Sequence, residues 1–410
     1  MIYFKKILLT LSIFAILIGC GSGSTTEKMI QDDNASPSGK QTDTPLQLQP
    51  QAPLGEKQIF PKVYLEMPKS DPCEKDQFYR LKTKECMDIE NPSLWGFQGF
   101  TVGENNYTIS TLTEGELKEV ISNLPQEGGI IIIPEGIIEI TDGITIPSNV
   151  VLQGAGAGRT ILSNRSSDEF TSVVELDGEN IIIRGLTIEG NGESLNGIDG
   201  HKSGGNILIE FIEARNFKLN QGAGIAFVRK VALAKSRITI RYNSLYNGLH
   251  GIAIRVGVYG TIANMLIYSN QSFNNTNYGL DISTSYSVEV AGNYLHNNKE
   301  YGAKTPRANE IIYHYNDVNF NKKGGLLYEG TNYNAHIIVK YNNLSDNGGL
   351  AYNVTSATFD KLTLIDNIVT NSIDENNNTI GAYGARNIYI TGDHGNIWYN
   401  EAMHQLTYQE

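Results

Sequence analysis

Asn196-Gly197-Ile198-Asp199, Ala223-Gly224-Ile225-Ala226, His250-Gly251-Ile252-Ala253 and Tyr278-Gly279-Leu280-Asp281 repeat one pattern, a glycine followed by a branched apolar residue. Counted from Ile198, the copies lie 27, 27 and 28 residues apart. A fixed period of this size marks one structural unit stacked on copies of itself. Each unit alternates apolar and polar residues, as short half-buried strands do. The pattern reads as a parallel β-helix, in which equivalent residues of successive coils sit about 4.8 Å apart.

The copies can therefore be written as a grid. With the apolar residue at zero and pointing inward, positions −2, +1 and +3 fall on or near the outer face. Position −2 reads Asn196, Ala223, His250, Tyr278; position +1 reads Asp199, Ala226, Ala253, Asp281; position +3 reads His201, Val228, Arg255, Ser283. Titratable residues thus ring a floor of alanines, which suggests a groove for a flat ligand such as a sugar ring. Solvated strand residues without a role would give the same pattern.

The rest of the chain frames this stretch. Residues 1–19 pair Lys5 and Lys6 with an apolar run too short to span a bilayer, as a signal peptide does. Leu17-Ile18-Gly19-Cys20 resembles the bacterial lipobox, which implies cleavage before Cys20 and lipidation of its thiol. Gly21 follows in place of Asp, so the expected location is the outer membrane, on its periplasmic or cell-surface face. Residues 20–60 carry few large apolar groups and read as a tether. Within 61–112, Cys73 and Cys86 are the only other cysteines and are expected to form a disulfide. Phe78 and Tyr79 inside that loop suggest a small carbohydrate-binding element. In 113–127, Thr113-Glu114-Gly115-Glu116 has capping spacing, and Leu117, Val120, Ile121 and Leu124 follow at helical spacing up to Pro125. The expected short helix covers the open end of the stack.

The solenoid is expected over 128–398, followed by a tail at 399–410. Gly154-Ala155-Gly156-Ala157-Gly158 lacks the Lys-Ser/Thr ending of a phosphate loop and reads as a tight turn. Asn243, Asn270, Asn293, Asn316, Asn342 and Asn367 recur after apolar strands at steps of 27, 23, 23, 26 and 25. They read as a structural ladder, because Asn tolerates left-handed backbone and bonds neighbouring main chain. Asn274-Asn275 and Asn376–Asn378 read as loop material.

The chain carries a net −12, which argues against nucleic acid. Between Asn196 and Gly260, however, Lys202, Arg215, Lys218, Arg229, Lys230, Lys235, Arg237, Arg241 and Arg255 face only Asp199, Glu210 and Glu213. A basic strip on an acidic body points to a local anionic ligand.

The coils resemble alginate (mannuronan) C5-epimerases, whose signature Tyr-Gly-Phe-Asp-Pro-His matches Asn196-Gly197-Ile198-Asp199-Gly200-His201. Two coils later that family carries Arg-His-Gly-Phe, here Leu249-His250-Gly251-Ile252. The resemblance implies an all-β, right-handed parallel β-helix acting on an anionic polysaccharide. It makes His201 and His250 the proton-transfer residues and has Asp199 hold the substrate carboxylate. The motif tyrosine is Asn196 and the arginine is Leu249, and Arg255 and Tyr278 stand at nearby grid points as substitutes.

Removing the C5 proton of a uronate leaves charge on the adjacent carboxylate, which requires a base and a cation. Return of the proton from the other face gives epimerisation, and loss of the C4 oxygen gives a lyase. Arg255 or Lys202 would neutralise the carboxylate; Ca²⁺ on Asp199 and Asp281 is the second choice, and no cofactor is otherwise required. Asn196, Lys202, Asp281, Ala226 and Ala253 are the expected substrate contacts. Asp199 and Asp281 stand three coils apart, about 14 Å, too far for a hydrolase pair. The remaining alternative is a non-catalytic surface glycan binder or adhesin, since fold does not give function. The expected assembly is a monomer with membrane contact through the lipid alone.

Overall fold

The computed structural model describes residues 65–391 apart from 91–95, 104, 167, 169–170, 230–236, 257–263, 284–286, 307–309, 330–334, 356–358, 371, 373–379 and 384–387, together with 406–408. The signal, tether and Cys20 readings, and Asn376–Asn378, lie outside the described residues.

Short strands recur in threes. Glu179–Arg184, Thr187–Glu189 and Asn196–Asp199 form one coil, and Gly205–Glu210, Glu213–Arg215 and Ala223–Arg229 form the next. Each strand pairs in parallel with its equivalents one coil before and after. Three sheets of 13, 10 and 10 strands result among the described residues, here called the first, second and third faces. Inward residues stack on themselves. Ile207, Ile238, Met265, Val288, Ile311, Ile337 and Leu362 are register partners down the first face, and each is at most 2% exposed. Ile198, Ile225, Ile252 and Leu280 do the same on the third. Burying each such side chain contributes about 1.5–3 kcal/mol, so this stack is the main stabilising term.

The helix Glu114–Ser122 closes on this core. Thr113 Oγ1 accepts from Glu116 N, and the Glu116 carboxylate accepts from Ser110 N and Thr111 N. Leu117 is fully buried, with Val120, Ile121 and Leu124 packed on the same cluster. Glu114 accepts from Thr141 N and Asp142 N, which fastens the helix to a turn of the first coil.

Two asparagine ladders hold the corners. From Asn270 to Asn367, each Asn Oδ1 accepts both the backbone N–H and the side-chain Nδ2 of the Asn one coil earlier, and Asn243 Oδ1 accepts from Ile212 N. Asn275, Asn298, Asn321 and Asn347 form a second ladder that ends on Ser372. Asn275 is therefore its first rung rather than loop material. The left-handed backbone sits one residue before the ladder, at Tyr242, Ser269, Tyr315 and Tyr341 in one corner and at Asn274, Asn297 and Phe320 in the other. The ladder asparagines are there for their bonds, which compensate a conformation that bulky residues adopt at a cost. At Gly292 (φ 59°) a Cβ would also meet the Phe78 ring at 2.6 Å.

That ring belongs to a strap. Gln77–Arg80 and Glu85–Asp88 pair as an antiparallel hairpin, joined by the Cys73–Cys86 disulfide. Phe78 is fully buried, edge-on to His314 at 5.1 Å, and Tyr79 exchanges backbone bonds with the Ser269 hydroxyl. These two residues anchor the hairpin and do not form an exposed glycan-binding loop, because a hairpin this small has no core of its own and uses the solenoid's. Asp71 ties the same segment to Arg241 and Tyr242, Glu90 N donates to Glu289, and Lys82 pairs with Asp317.

Two stability predictions follow from these packing arrangements. Asn293→Ala removes two accepted bonds from Asn270 and two donated to Ile267 and Asn316. It is expected to cost about 4 kcal/mol in urea unfolding. His296 is fully buried between Phe273 (5.0 Å) and Tyr294 (3.9 Å), and neither ring nitrogen has a partner among the described residues. Burial, helped by the Lys82 charge, holds its pKa down to about 3. A depressed histidine stabilises the fold above its unfolded pKa of about 6.5, and that stability is lost as pH falls toward the folded value. His296→Phe is expected to shrink the loss between pH 7 and pH 5 by on the order of 2 kcal/mol, read as the change in urea midpoint.

Candidate functional site

The glycines of the repeat explain why the grid exists. A Cβ on Gly197, Gly224, Gly251 or Gly279 would meet the carbonyl oxygen of the glycine one coil on, at 2.5 to 2.8 Å. Only glycine lets consecutive coils stack this closely at the entry to the third face. The register matches the grid: Asn196, Ala223, His250 and Tyr278 are successive partners, as are Asp199, Ala226, Ala253 and Asp281. Val228, Arg255 and Ser283 continue the third column, and His201 stands in the turn just beyond Asp199. Asn196 Nδ2 lies 3.1 Å from Asp199 Oδ2, so positions −2 and +1 share the outer side.

The titratable residues fall into two groups. In the first, Asp199 Oδ1 accepts from the His201 backbone N–H (2.9 Å) and sits 3.0 Å from His201 Nδ1. Its other oxygen accepts from Asn196 and from the Ser172 hydroxyl at 3.4 Å. An ionised carboxylate only accepts, so Nδ1 carries the proton and the Nε2 lone pair is left free. The His201 side chain is 38% exposed.

In the second group, Arg255 donates through Nε (2.9 Å) and Nη2 (2.5 Å) to Asp281 Oδ2, and Nη2 is also 2.7 Å from His250 Nε2. The His250 side chain is 1% exposed and stacks on Tyr278 at 5.3 Å, while that of Arg255 is 44% exposed. Burial, with Arg255 and Lys304 adding to it against Asp281, lowers the His250 pKa to about 4, so the ring is neutral. Burial raises Tyr278 to about 12, which keeps its hydroxyl protonated.

Between the groups lies the rung Ala223, Ala226, Val228. Ala223, Ala226 and Ala253 touch one another and are 1–4% exposed, so they form a covered patch rather than an open floor. The exposed apolar group on this rung is Val228. His201 and Tyr278 stand three rungs apart, about 14 Å, and cannot address one carbon together.

Four of the nine basic residues of the strip are paired with carboxylates among the described residues. Lys202 pairs with Glu175, Arg215 with Glu189 and Glu213, Arg241 with Asp71 and Glu210, and Arg255 with Asp281. Most of these acids come from outside the sequence window that gave the positive count. Asp199 and Asp281 stand three rungs apart, each engaged with its own partners, so they do not fit a shared calcium ion, which takes 6–8 oxygen ligands. Among the described residues no group of three or more His, Cys, Asp or Glu is placed to hold a metal.

Two participants escaped the sequence reading. Ser172 occupies position −2 one coil earlier, where Val173 replaces the signature glycine. Lys304 follows Gly302-Ala303 one coil later; its Nζ is 5.3 Å from the Tyr278 ring centroid and pairs with Glu329. The step from Leu280 to Ala303 is 23 residues, which hid the copy from a search at 27.

A search of curated proteins finds no match to the sequence. Among solved structures, the A-module of a mannuronan C-5 epimerase from Azotobacter vinelandii is 17% identical (67% of this chain, 93% of that one, TM-score 0.41). An alginate lyase from Paenibacillus is 13% identical (68% and 98%, TM-score 0.46), and a DFA-IIIase from Arthrobacter chlorophenolicus is 10% identical (75% and 88%, TM-score 0.49). The sequence model for the right-handed β-helix region matches residues 172–338 and 235–396. With three parallel faces, stacked inward residues and this match, the chain belongs to the right-handed β-helix family.

Proposed function

We propose that the protein is a carbohydrate-active enzyme that removes the C5 proton of a uronate residue in an anionic polysaccharide. The observation that carries this reading is the pair of His201 and Asp199. Asp199 fixes the imidazole through Nδ1 and leaves the Nε2 lone pair on an exposed ring, the arrangement a general base needs. Two rungs on from Asp199 on the same face, Arg255 presents a half-exposed guanidinium. Its long side chain can meet the carboxylate of a sugar seated over Val228, where proton removal concentrates charge. Asn196 and Ser172 hold Asp199, so in this reading they position the base and do not touch the sugar.

Epimerisation is the first assignment and β-elimination the second. Elimination needs one group to take the proton and return it to the leaving oxygen, which His201 alone can do. Epimerisation needs a second proton donor on the other face. Lipidation at Cys20 and anchoring to the outer membrane belong to the same proposal, on the strength of residues 1–20.

Incubation with polymannuronate, alginate and pectate in deuterated water tests it. Deuterium at C5 without chain cleavage marks epimerisation, and ultraviolet absorbance of an unsaturated end marks elimination. His201→Gln is expected to lower either signal by about 10²–10⁴-fold with glycan binding kept. Neither signal on any of the three polymers overturns the enzyme reading and leaves the glycan binder.

A further inference from the structure

The second group is arranged as though closed. A base works through its lone pair, and the Nε2 lone pair of His250 is taken by Arg255. The other nitrogen, Nδ1, must then carry the proton, and it is buried without a partner among the described residues. The charges facing the ring are Asp281 and Arg255, with Lys304 from the next coil, and Tyr278 lies against its face. Asp281 Oδ1 is also bonded to the Ser283 hydroxyl, so the carboxylate is tied down on its own strand. Arg255 is the member that solvent reaches, with nearly half its side chain exposed while His250 and Asp281 are 1% and 3% exposed.

We infer that Arg255 is a latch over His250, opened when a substrate carboxylate draws the guanidinium outward from Asp281 and bares Nε2. The inference rests on the uronate reading above and adds to it a titratable group that becomes available only with anionic substrate in place. A substrate carboxylate offers the guanidinium two acceptor oxygens where Asp281 offers only Oδ2, without the cost of holding the charge against a buried ring. A neutral sugar offers no such exchange. Arg255 is thus a positioning residue for His250 as well as a contact for the substrate acid group. Opening also changes the field at His250, because Asp281 then faces the ring without its cation.

The test follows the His250 ring nitrogens by NMR titration of the full chain. In the free protein His250 is expected to titrate near pH 4. Saturating oligomannuronate is expected to move that midpoint up by about one pH unit or more, and neutral mannan oligomers of equal length are expected to leave it in place. Arg255→Gln is expected to start from the raised midpoint and to show a smaller response to oligomannuronate, which separates latch opening from the bare charge of the ligand. An unchanged urea midpoint and circular dichroism spectrum in that variant establish that it is still folded. Arg255→Met, which keeps the apolar stem and removes the cation, supplies the same comparison if Arg255→Gln does not fold. Oligomannuronate that binds by calorimetry yet leaves the His250 midpoint unmoved overturns the latch and spares the uronate reading. An equal shift in wild type and Arg255→Gln also overturns the latch. No binding of oligomannuronate or oligogalacturonate overturns both.

Discussion

A parallel strand that slips by one residue against its neighbour turns every inward side chain outward. In a solenoid that error would propagate down the stack, so the register of each coil on the next is the constraint on which everything else depends. Here it is fixed at the corners. Each ladder asparagine makes bonds that close only when the next coil presents its own asparagine at the same height. The glycine column works by exclusion, since any side chain there would strike the next coil's carbonyl. Bonding at the corners and close approach at the third face therefore specify one alignment, and the columns of the outer surface follow from it.

This explains how much of the molecule could be read from its residues. Glycine and asparagine recur because backbone geometry demands them, so their spacing reports coil length directly. The columns through Ile198 and through Asn196 were legible for that reason. What depends on side chains meeting across coils was not. The partners of Lys202, Arg215 and Arg241 include acids up to 170 residues away in sequence, and no local count of charge could reveal them. The second ladder was hidden because Asn274 and Asn275 look alike in sequence, while one bends the chain and the other bonds it. His250 matched its motif position, but nothing in the sequence stated that Arg255 would sit on its lone pair.

The outer side of the third face consequently has two chemically distinct halves. His201 is open and oriented by a carboxylate held by two further groups, while His250 is sealed by a guanidinium that already has a carboxylate. Placing both on one strip, separated by an alanine and valine rung, keeps the two environments from averaging. Asn196 belongs to the first half, because it serves Asp199 and takes no part in the second group.

The strap has a consequence for how the chain reaches this state. Tyr79 binds Ser269, and Leu65 meets Gln271 206 residues later, so the earliest described segment docks on coils made long after it. Coils can wind one upon another as they emerge from the ribosome, each needing only its predecessor. The hairpin cannot follow that order. It must wait, with Phe78 uncovered, until the coils that carry His314 and Asp317 have been synthesised, and its arrival is a long-range closure.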